Sequence, residues 1–155
     1  MAKKILIVDD DPIIRRVLNA LLRSKNYETV FAVDGTSGVT VARKENPDLI
    51  ILDIGLPGGD GFLLMERFRN LASLACVPVV VLSSRDPQTN KERALEAGAV
   101  AFLRKPPDNN ELLAAIRKAL GESDESAESG KPLAVIGQRW AERAQFRDGE
   151  DKTRL

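Results

Sequence analysis

A length of 155 residues is enough for one compact domain and a short appendage, because domains commonly have about 100 to 150 residues. Hydrophobic residues make up 43% and charged residues 30% of the chain, a mixture typical of globular proteins with a buried core. Basic and acidic residues number 23 each, so there is no bulk positive charge to attract nucleic acid or an anionic membrane. These values exclude a wholly disordered chain and argue against direct nucleic-acid binding.

Two residue counts narrow the chemistry further. The sequence has no histidine, which excludes Ser-His-Asp and Cys-His nucleophiles, histidine zinc sites and a phosphohistidine relay within this chain. Cys76 is the single cysteine, so no internal disulfide can form and the chain suits a reducing compartment. The first apolar run, residues 5–8, is far too short for a signal or transmembrane segment, and we expect a cytoplasmic protein without membrane contact.

Short runs rich in Val, Ile and Leu alternate with helical patterns, which predicts βα units around a parallel sheet. The predicted strands are residues 5–8, 29–33, 49–52, 77–82 and 100–103. The intervening patterns space apolar residues three and four apart, as in Ile13, Val17 and Leu21 near the start and Leu112, Ile116 and Leu120 near the end. We expect each helix to turn such a face to the sheet. The fold class is therefore α/β, a doubly wound five-stranded parallel sheet flanked by five helices.

Residue types mark the predicted helix ends, and a change of composition marks the end of the domain. Asp11 and Asp108 are suited to N-caps, and Gly98 and Gly121 to helix stops. Residues 122–132 are acidic and serine-rich, which predicts a linker after a domain of residues 1–121. Residues 133–155 form a tail in which a short amphipathic helix and a partly disordered remnant both stay open. Either the domain acts alone through protein contacts or the chain is one piece of a larger protein.

Three carboxylates follow two of the predicted strands. Asp9 and Asp10 come directly after the first strand, and Asp53 ends the third, so adjacent strands would bring them together. At about 4 Å and an effective dielectric near 20, each like-charged pair costs roughly 4 kcal/mol, which a divalent cation can reverse. Oxygen ligands suit Mg²⁺. Any one of these aspartates alone could equally be a helix cap, as we expect for Asp11.

Hydrogen-bond donors follow the other two strand ends. Ser83 comes after the fourth strand and Lys105 after the fifth. A hydroxyl and an ammonium facing an acidic metal site make chemical sense if the ligand carries phosphoryl oxygens, because both groups can donate to them. A lone serine or lysine is usually a surface residue, but the combination favours a phosphoryl site.

Four stretches of the first 120 or so residues together resemble the response-regulator receiver family of two-component systems. They are ILIVDDDP at 5–12, LDIGLPGGDG at 52–61, VLSS at 81–84 and GAVAFLRKP at 98–106. The resemblance implies a flavodoxin-like sheet with strand order 2-1-3-4-5. It also implies that Asp53 is the phosphoacceptor, and that Asp9, Asp10, Asp53 and the main-chain carbonyl of Gly55 bind Mg²⁺.

The same resemblance assigns roles at the last two strands. Ser83 would contact the phosphoryl group, Lys105 would pair with it, and the Lys105–Pro106 peptide bond would be cis. Ser83 and Phe102 would form the switch, with Phe102 moving into space that Ser83 vacates. The alternative for Phe102 is a plain core residue of the fifth strand.

The resemblance also implies partners. The donor would be a sensor histidine kinase or a histidine phosphotransfer protein, and a downstream protein would contact the surface of the fourth helix, fifth strand and fifth helix, where a homodimer could also form. A degenerate receiver that binds partners without phosphorylation stays open. A haloacid-dehalogenase-like phosphatase is disfavoured, since Gly55 stands where that family has a second aspartate. A flavin mononucleotide binder is disfavoured by aspartates where a phosphate loop would lie.

Overall fold

A computed structural model of the protein describes residues 2–56, 61–84 and 87–122. All but the first residue of the predicted linker and the whole of the predicted tail at 133–155 lie outside the described residues. The predicted division of the chain at residues 121 and 132 therefore stays a prediction.

Within the described ranges, five strands form one parallel sheet in the order β2-β1-β3-β4-β5, which confirms the predicted fold class. The strands are β1 (Lys4–Val8), β2 (Glu28–Ala32), β3 (Leu49–Leu52), β4 (Val79–Ser83) and β5 (Ala101–Arg104). The helices are α1 (Pro12–Ser24), α2 (Gly35–Glu45), α3 (Gly61–Asn70), α4 (Pro87–Glu96) and α5 (Asn109–Leu120). One compact unit holds the whole sheet and the first four helices, and α5 belongs to a second unit that begins at Asp108.

The sheet register brings the carboxyl ends of the two central strands to the same level. Val8 of β1 pairs with Leu52 of β3, and the next amide along β3, that of Asp53, donates to the Val8 carbonyl at 3.0 Å. The amide of Asp9 donates to the carbonyl of Ala32 in β2, also at 3.0 Å. Main-chain hydrogen bonds of the sheet are therefore enough to place Asp9 and Asp53 side by side.

The strands read as continuous apolar runs because both of their faces are buried, as is typical of parallel sheets. On one face, the main core cluster includes Leu6, Val8, Ile50, Leu52, Val81 and Phe102 from the strands and Leu64, Met65 and Phe68 from α3. On the other face, Ile5, Ile7, Leu49 and Ile51 are also almost completely buried. This rigid centre fixes the strand ends at which polar side chains collect.

The apolar face predicted for α1 is wrong. Ile13 and Val17 are 67% and 50% exposed, whereas Leu18 and Leu22 are fully buried. The helix carries apolar residues in two neighbouring stripes, so spacing alone does not select between them. The helix begins after Asp11, whose side chain accepts a hydrogen bond from the Ile13 amide at 2.9 Å.

The predicted boundaries hold at the helices and shift slightly at the strands. Asp11 and Asp108 are N-caps, and Gly98 and Gly121 have positive φ angles of 113° and 71° that favour glycine. β4 begins after Pro78 rather than before it, because proline has no amide to donate to a ladder. None of the helices in the described ranges combines the length and the apolar character that a bilayer span requires.

Candidate functional site

Three carboxylates meet at the carboxyl ends of β1 and β3. One oxygen from each of Asp9, Asp10 and Asp53 lies within 4.8 Å of the others. Asp9 and Asp53 are buried, with 2% and 8% of their surface exposed, whereas Asp10 is exposed. Two of the three acids are therefore fixed inside the protein and the third is open to solvent.

Asp9 is held at every polar atom. Its Oδ1 accepts from the amide of Asp11 at 2.9 Å and its Oδ2 lies 2.7 Å from the ammonium of Lys105. Its main-chain carbonyl accepts from Nη1 of Arg15 at 2.8 Å. Burial raises the pKa of Asp9, and this effect outweighs the opposing hydrogen bonds from Lys105 and Asp11. Asp9 thus resists ionisation in the free protein more than an exposed aspartate does.

Asp53 is slightly less buried than Asp9, and both of its carboxylate oxygens accept hydrogen bonds. Its Oδ1 accepts from the amide of Gly55 at 2.8 Å, and its Oδ2 lies 3.2 Å from Nζ of Lys105. The chain beyond it is tightly packed, because a Cβ at Gly61 would lie 2.3 Å from the Cα of Ile54. Only glycine lets α3 begin this close to the residue that follows Asp53.

Lys105 joins the two buried acids. Its amide donates to the carbonyl of Ser83 at 3.0 Å, its peptide bond to Pro106 is cis, and its ammonium reaches both Asp9 and Asp53. Burial by itself would lower the pKa of this ammonium, but the hydrogen bond to Asp9 and the charges of both acids raise it. The side chain is therefore a permanent cation at the edge of the acidic cluster.

Ser83 and Phe102 are buried residues of β4 and β5. Ser83 is fully buried as the last residue of β4, next to Arg104 in the sheet register. Phe102 is 4% exposed, pairs with Val81 and belongs to the main core cluster. The structure therefore joins Ser83 to the site through its main-chain bond to Lys105, and it places Phe102 in the core.

Sequence reasoning missed two contacts at this site. Arg15, one turn into α1, bonds to the Asp9 carbonyl, and the amide of the cap residue Asp11 bonds to the Asp9 carboxylate. Both donors act on Asp9 from the loop and the first helical turn. Both donors lie within six residues of Asp9 in the sequence, which could have suggested a contact. Sequence spacing does not show which acceptor each donor bonds to.

The donor set fits Mg²⁺. Among the described residues, the cluster holds three carboxylates and the ammonium of Lys105 contacts two of them, so negative charge remains that a divalent cation would neutralise. All the candidate ligand atoms are oxygens, which Mg²⁺ prefers, and the exposed Asp10 leaves room for the water ligands that this ion usually retains.

Comparisons with known proteins agree on one family. The family model described as "Response regulator receiver domain" matches residues 5–117. The transcriptional regulator RpaA of Synechocystis is 36% identical over 135 residues, which cover 87% of this chain and 56% of RpaA. Protein PilH of Pseudomonas aeruginosa is 35% identical over 117 residues, which cover 76% of this chain and 97% of PilH.

A solved structure gives the same result. The receiver domain of the sensor histidine kinase PA1611 of Pseudomonas aeruginosa, solved with a magnesium ion in its active-site cleft, matches with a TM-score of 0.72 and 30% identity. The match covers 79% of this chain and all of that domain. This chain spans only about half the length of RpaA, so the comparison with RpaA concerns the shared domain. On the matched residues and the shared fold, the chain belongs to the response-regulator receiver family.

Proposed function

We propose that the protein accepts a phosphoryl group on Asp53, with Mg²⁺, from a sensor histidine kinase or a histidine phosphotransfer protein, and that the modified domain controls a downstream protein. One observation carries the proposal. The Asp53 carboxylate lies beside a metal-compatible acidic cluster and 3.2 Å from a fixed ammonium, that of Lys105. A nucleophilic carboxylate, a cation site and a fixed positive charge are the parts that phosphoryl transfer to aspartate needs.

The metal ligands would be Asp9, Asp10, Asp53 and the main-chain carbonyl of Gly55, with Asp10 the most accessible of the three carboxylates. When bound, Mg²⁺ would offset the charge of the acids and of the incoming phosphoryl oxygens. The solved PA1611 receiver, which holds magnesium in its active-site cleft, supports this assignment.

The transfer itself would be a displacement at phosphorus. An oxygen of Asp53 attacks the phosphoryl group, a P–O bond forms and the P–N bond to the donor histidine breaks. The departing ring nitrogen keeps the electron pair and leaves as neutral imidazole, because its other nitrogen carries the proton. Water later cleaves the acyl phosphate. These reactions on its own Asp53 are the only chemistry that we assign, so the domain is a signalling protein rather than an enzyme.

Lys105 would change partners during the reaction. In the free protein its ammonium is shared between Asp9 and Asp53. A phosphoryl group on Asp53 offers more charge and stronger acceptors than a carboxylate, so the ammonium would move to it. The raised pKa of Lys105 keeps the cation available for this contact at neutral pH.

The signal would pass from the phosphoryl group to Ser83 and then to Phe102. The Ser83 hydroxyl, at the end of β4, would donate to a phosphoryl oxygen, and the β4–α4 loop would follow. Phe102, buried in the core of the described structure, would take a second position. Residues of α4, β5 and α5 would then present a changed surface to a partner or to a second copy in the cytoplasm.

The test is phosphorylation by a small phosphodonor such as phosphoramidate with Mg²⁺, followed by intact-protein mass spectrometry. We expect a labile adduct on the wild type and none on Asp53→Asn. Asp48→Asn is the matched control, because Asp48 is an exposed carboxylate at the opposite end of β3, and it should be labelled like the wild type. Absence of an adduct on the wild type, where a known receiver reacts, would favour a degenerate receiver that acts through binding alone.

A further inference from the structure

We infer that Arg15 is a positioning residue for the Mg²⁺ site, acting on Asp10 through the main chain of Asp9. This inference rests on the proposed function, because it names the device that aims one of the proposed metal ligands. Arg15 itself bonds to a main-chain carbonyl rather than to any candidate ligand oxygen.

The contact is short and lies in a part-buried region. Nη1 of Arg15 donates to the main-chain carbonyl of Asp9 at 2.8 Å. Arg15 stands in the first turn of α1, and its amide bonds to the carbonyl of Asp11 at 3.1 Å. The side chain therefore reaches from a helical turn back to the start of the loop that the helix follows.

Planarity of the peptide bond carries this contact forward to Asp10. The carbonyl of Asp9, the amide of Asp10 and the Cα of Asp10 lie in one rigid plane. Fixing the Asp9 oxygen therefore fixes the point from which the Asp10 side chain leaves the main chain. Because Asp10 is exposed, side-chain packing holds its carboxylate less firmly than it holds the buried Asp9. Its direction then depends mainly on the backbone.

The rest of Asp9 is already fixed. Its amide bonds to Ala32 in β2, and its two carboxylate oxygens bond to Asp11 and Lys105. The remaining polar group of Asp9 is its main-chain carbonyl, which belongs to the peptide bond with Asp10. Arg15 donates the hydrogen bond that this carbonyl accepts. Loss of the Arg15 contact would leave the buried carboxylate in place but remove one of the two bonds that orient the Asp9–Asp10 peptide plane, the other being the bond from the Asp11 amide to the Asp9 carboxylate.

Charge alone predicts the opposite result. A guanidinium near an acidic cluster repels a second cation, so its removal would strengthen Mg²⁺ binding if its charge were what mattered. If position matters, removal weakens binding, because groups that orient metal ligands are typically worth about 10- to 100-fold in affinity. The sign of the change in Mg²⁺ affinity separates the two roles.

The experiment is calorimetric titration of the full chain with Mg²⁺, using Arg15→Gln, Arg15→Lys and the control Arg16→Gln. Arg16 is the exposed neighbouring residue and of the same type. We expect about tenfold weaker Mg²⁺ binding in Arg15→Gln and wild-type binding in Arg16→Gln. Arg15→Lys should fall between them, since an ammonium can donate to the carbonyl but lacks the rigid fork of arginine.

Unfolding by urea in EDTA measures the stability of each variant without metal. Wild-type or tighter Mg²⁺ binding by Arg15→Gln would overturn the inference, even if this variant is less stable than the wild type. If Arg15→Gln does not fold, the affinity of Arg15→Lys decides, and a value equal to that of the wild type would overturn the inference. If the wild type itself does not bind Mg²⁺, the result refutes the proposed function, and this inference is refuted with it.

Discussion

Replacing Asp10 with asparagine should stabilise the metal-free protein while removing its response to Mg²⁺. An Asp10 oxygen lies within 4.8 Å of oxygens on both Asp9 and Asp53. Because Asp10 is exposed, a dielectric close to that of water applies, and each repulsion at this distance is worth roughly 1 kcal/mol. The ammonium of Lys105, which contacts both buried acids, offsets part of these repulsions. Neutralising Asp10 without changing its shape should therefore raise the free energy of unfolding by about 1 kcal/mol.

The assay is urea unfolding followed by circular dichroism, in EDTA and in saturating Mg²⁺. At a concentration 100 times its dissociation constant, a ligand specific for the folded state adds about 2.7 kcal/mol to the free energy of unfolding. The wild type should gain this increment and Asp10→Asn should lose most of it. Glu96→Gln, at an exposed position of α4, should match the wild type in both conditions. If Asp10→Asn were less stable in EDTA, or kept the full Mg²⁺ increment, the electrostatic account of the site would be refuted.

Two further predictions concern the close approach at Gly61 and the N-cap of α2. Gly61→Ala places a methyl group 2.3 Å from the Cα of Ile54 and should lower the free energy of unfolding in urea by about 1 to 3 kcal/mol. A phosphodonor should also label Asp53 more slowly in this variant. Wild-type stability and a wild-type labelling rate would show that Gly61 and Ile54 are not tightly packed. The pKa of Asp34 is lowered by hydrogen bonds from the amide and hydroxyl of Ser37, so its capping of α2 stabilises the fold at neutral pH and fades as the pH falls below about 4. The stability difference between wild type and Asp34→Ala, followed by urea unfolding across pH, should therefore shrink with acid, and a constant difference would contradict this assignment.

The fold and the meeting of the acids were predictable because they depend on local patterns and on sheet geometry. Apolar runs mark the strands, and parallel strands bring their carboxyl ends to one edge, so Asp9, Asp10 and Asp53 had to converge once β1 and β3 were neighbours. The cap at Asp11 and the stop at Gly121 follow from residue preferences within one helical turn.

The failures depend on choices that one-dimensional spacing leaves open. In α1, two neighbouring apolar stripes were available, and the buried one contains Leu18 and Leu22 rather than Ile13 and Val17. The contact of Arg15 with the Asp9 carbonyl has a main-chain acceptor, and every residue offers such an acceptor. Sequence spacing therefore cannot select it. The roles proposed for Ser83 and Phe102 depend on a second conformation and stay predictions.

The most direct test of the account is the position of the phosphoryl group itself. After reaction with phosphoramidate and Mg²⁺, treatment with borohydride reduces an aspartyl phosphate to homoserine, and tandem mass spectrometry of the peptides then locates the modified residue. We predict homoserine at position 53, dependent on Mg²⁺ and absent when the phosphodonor is omitted. Homoserine at another aspartate, or an unchanged Asp53 in protein that carries a stable adduct, would contradict the claim that the pocket of Asp9, Asp10 and Lys105 activates Asp53.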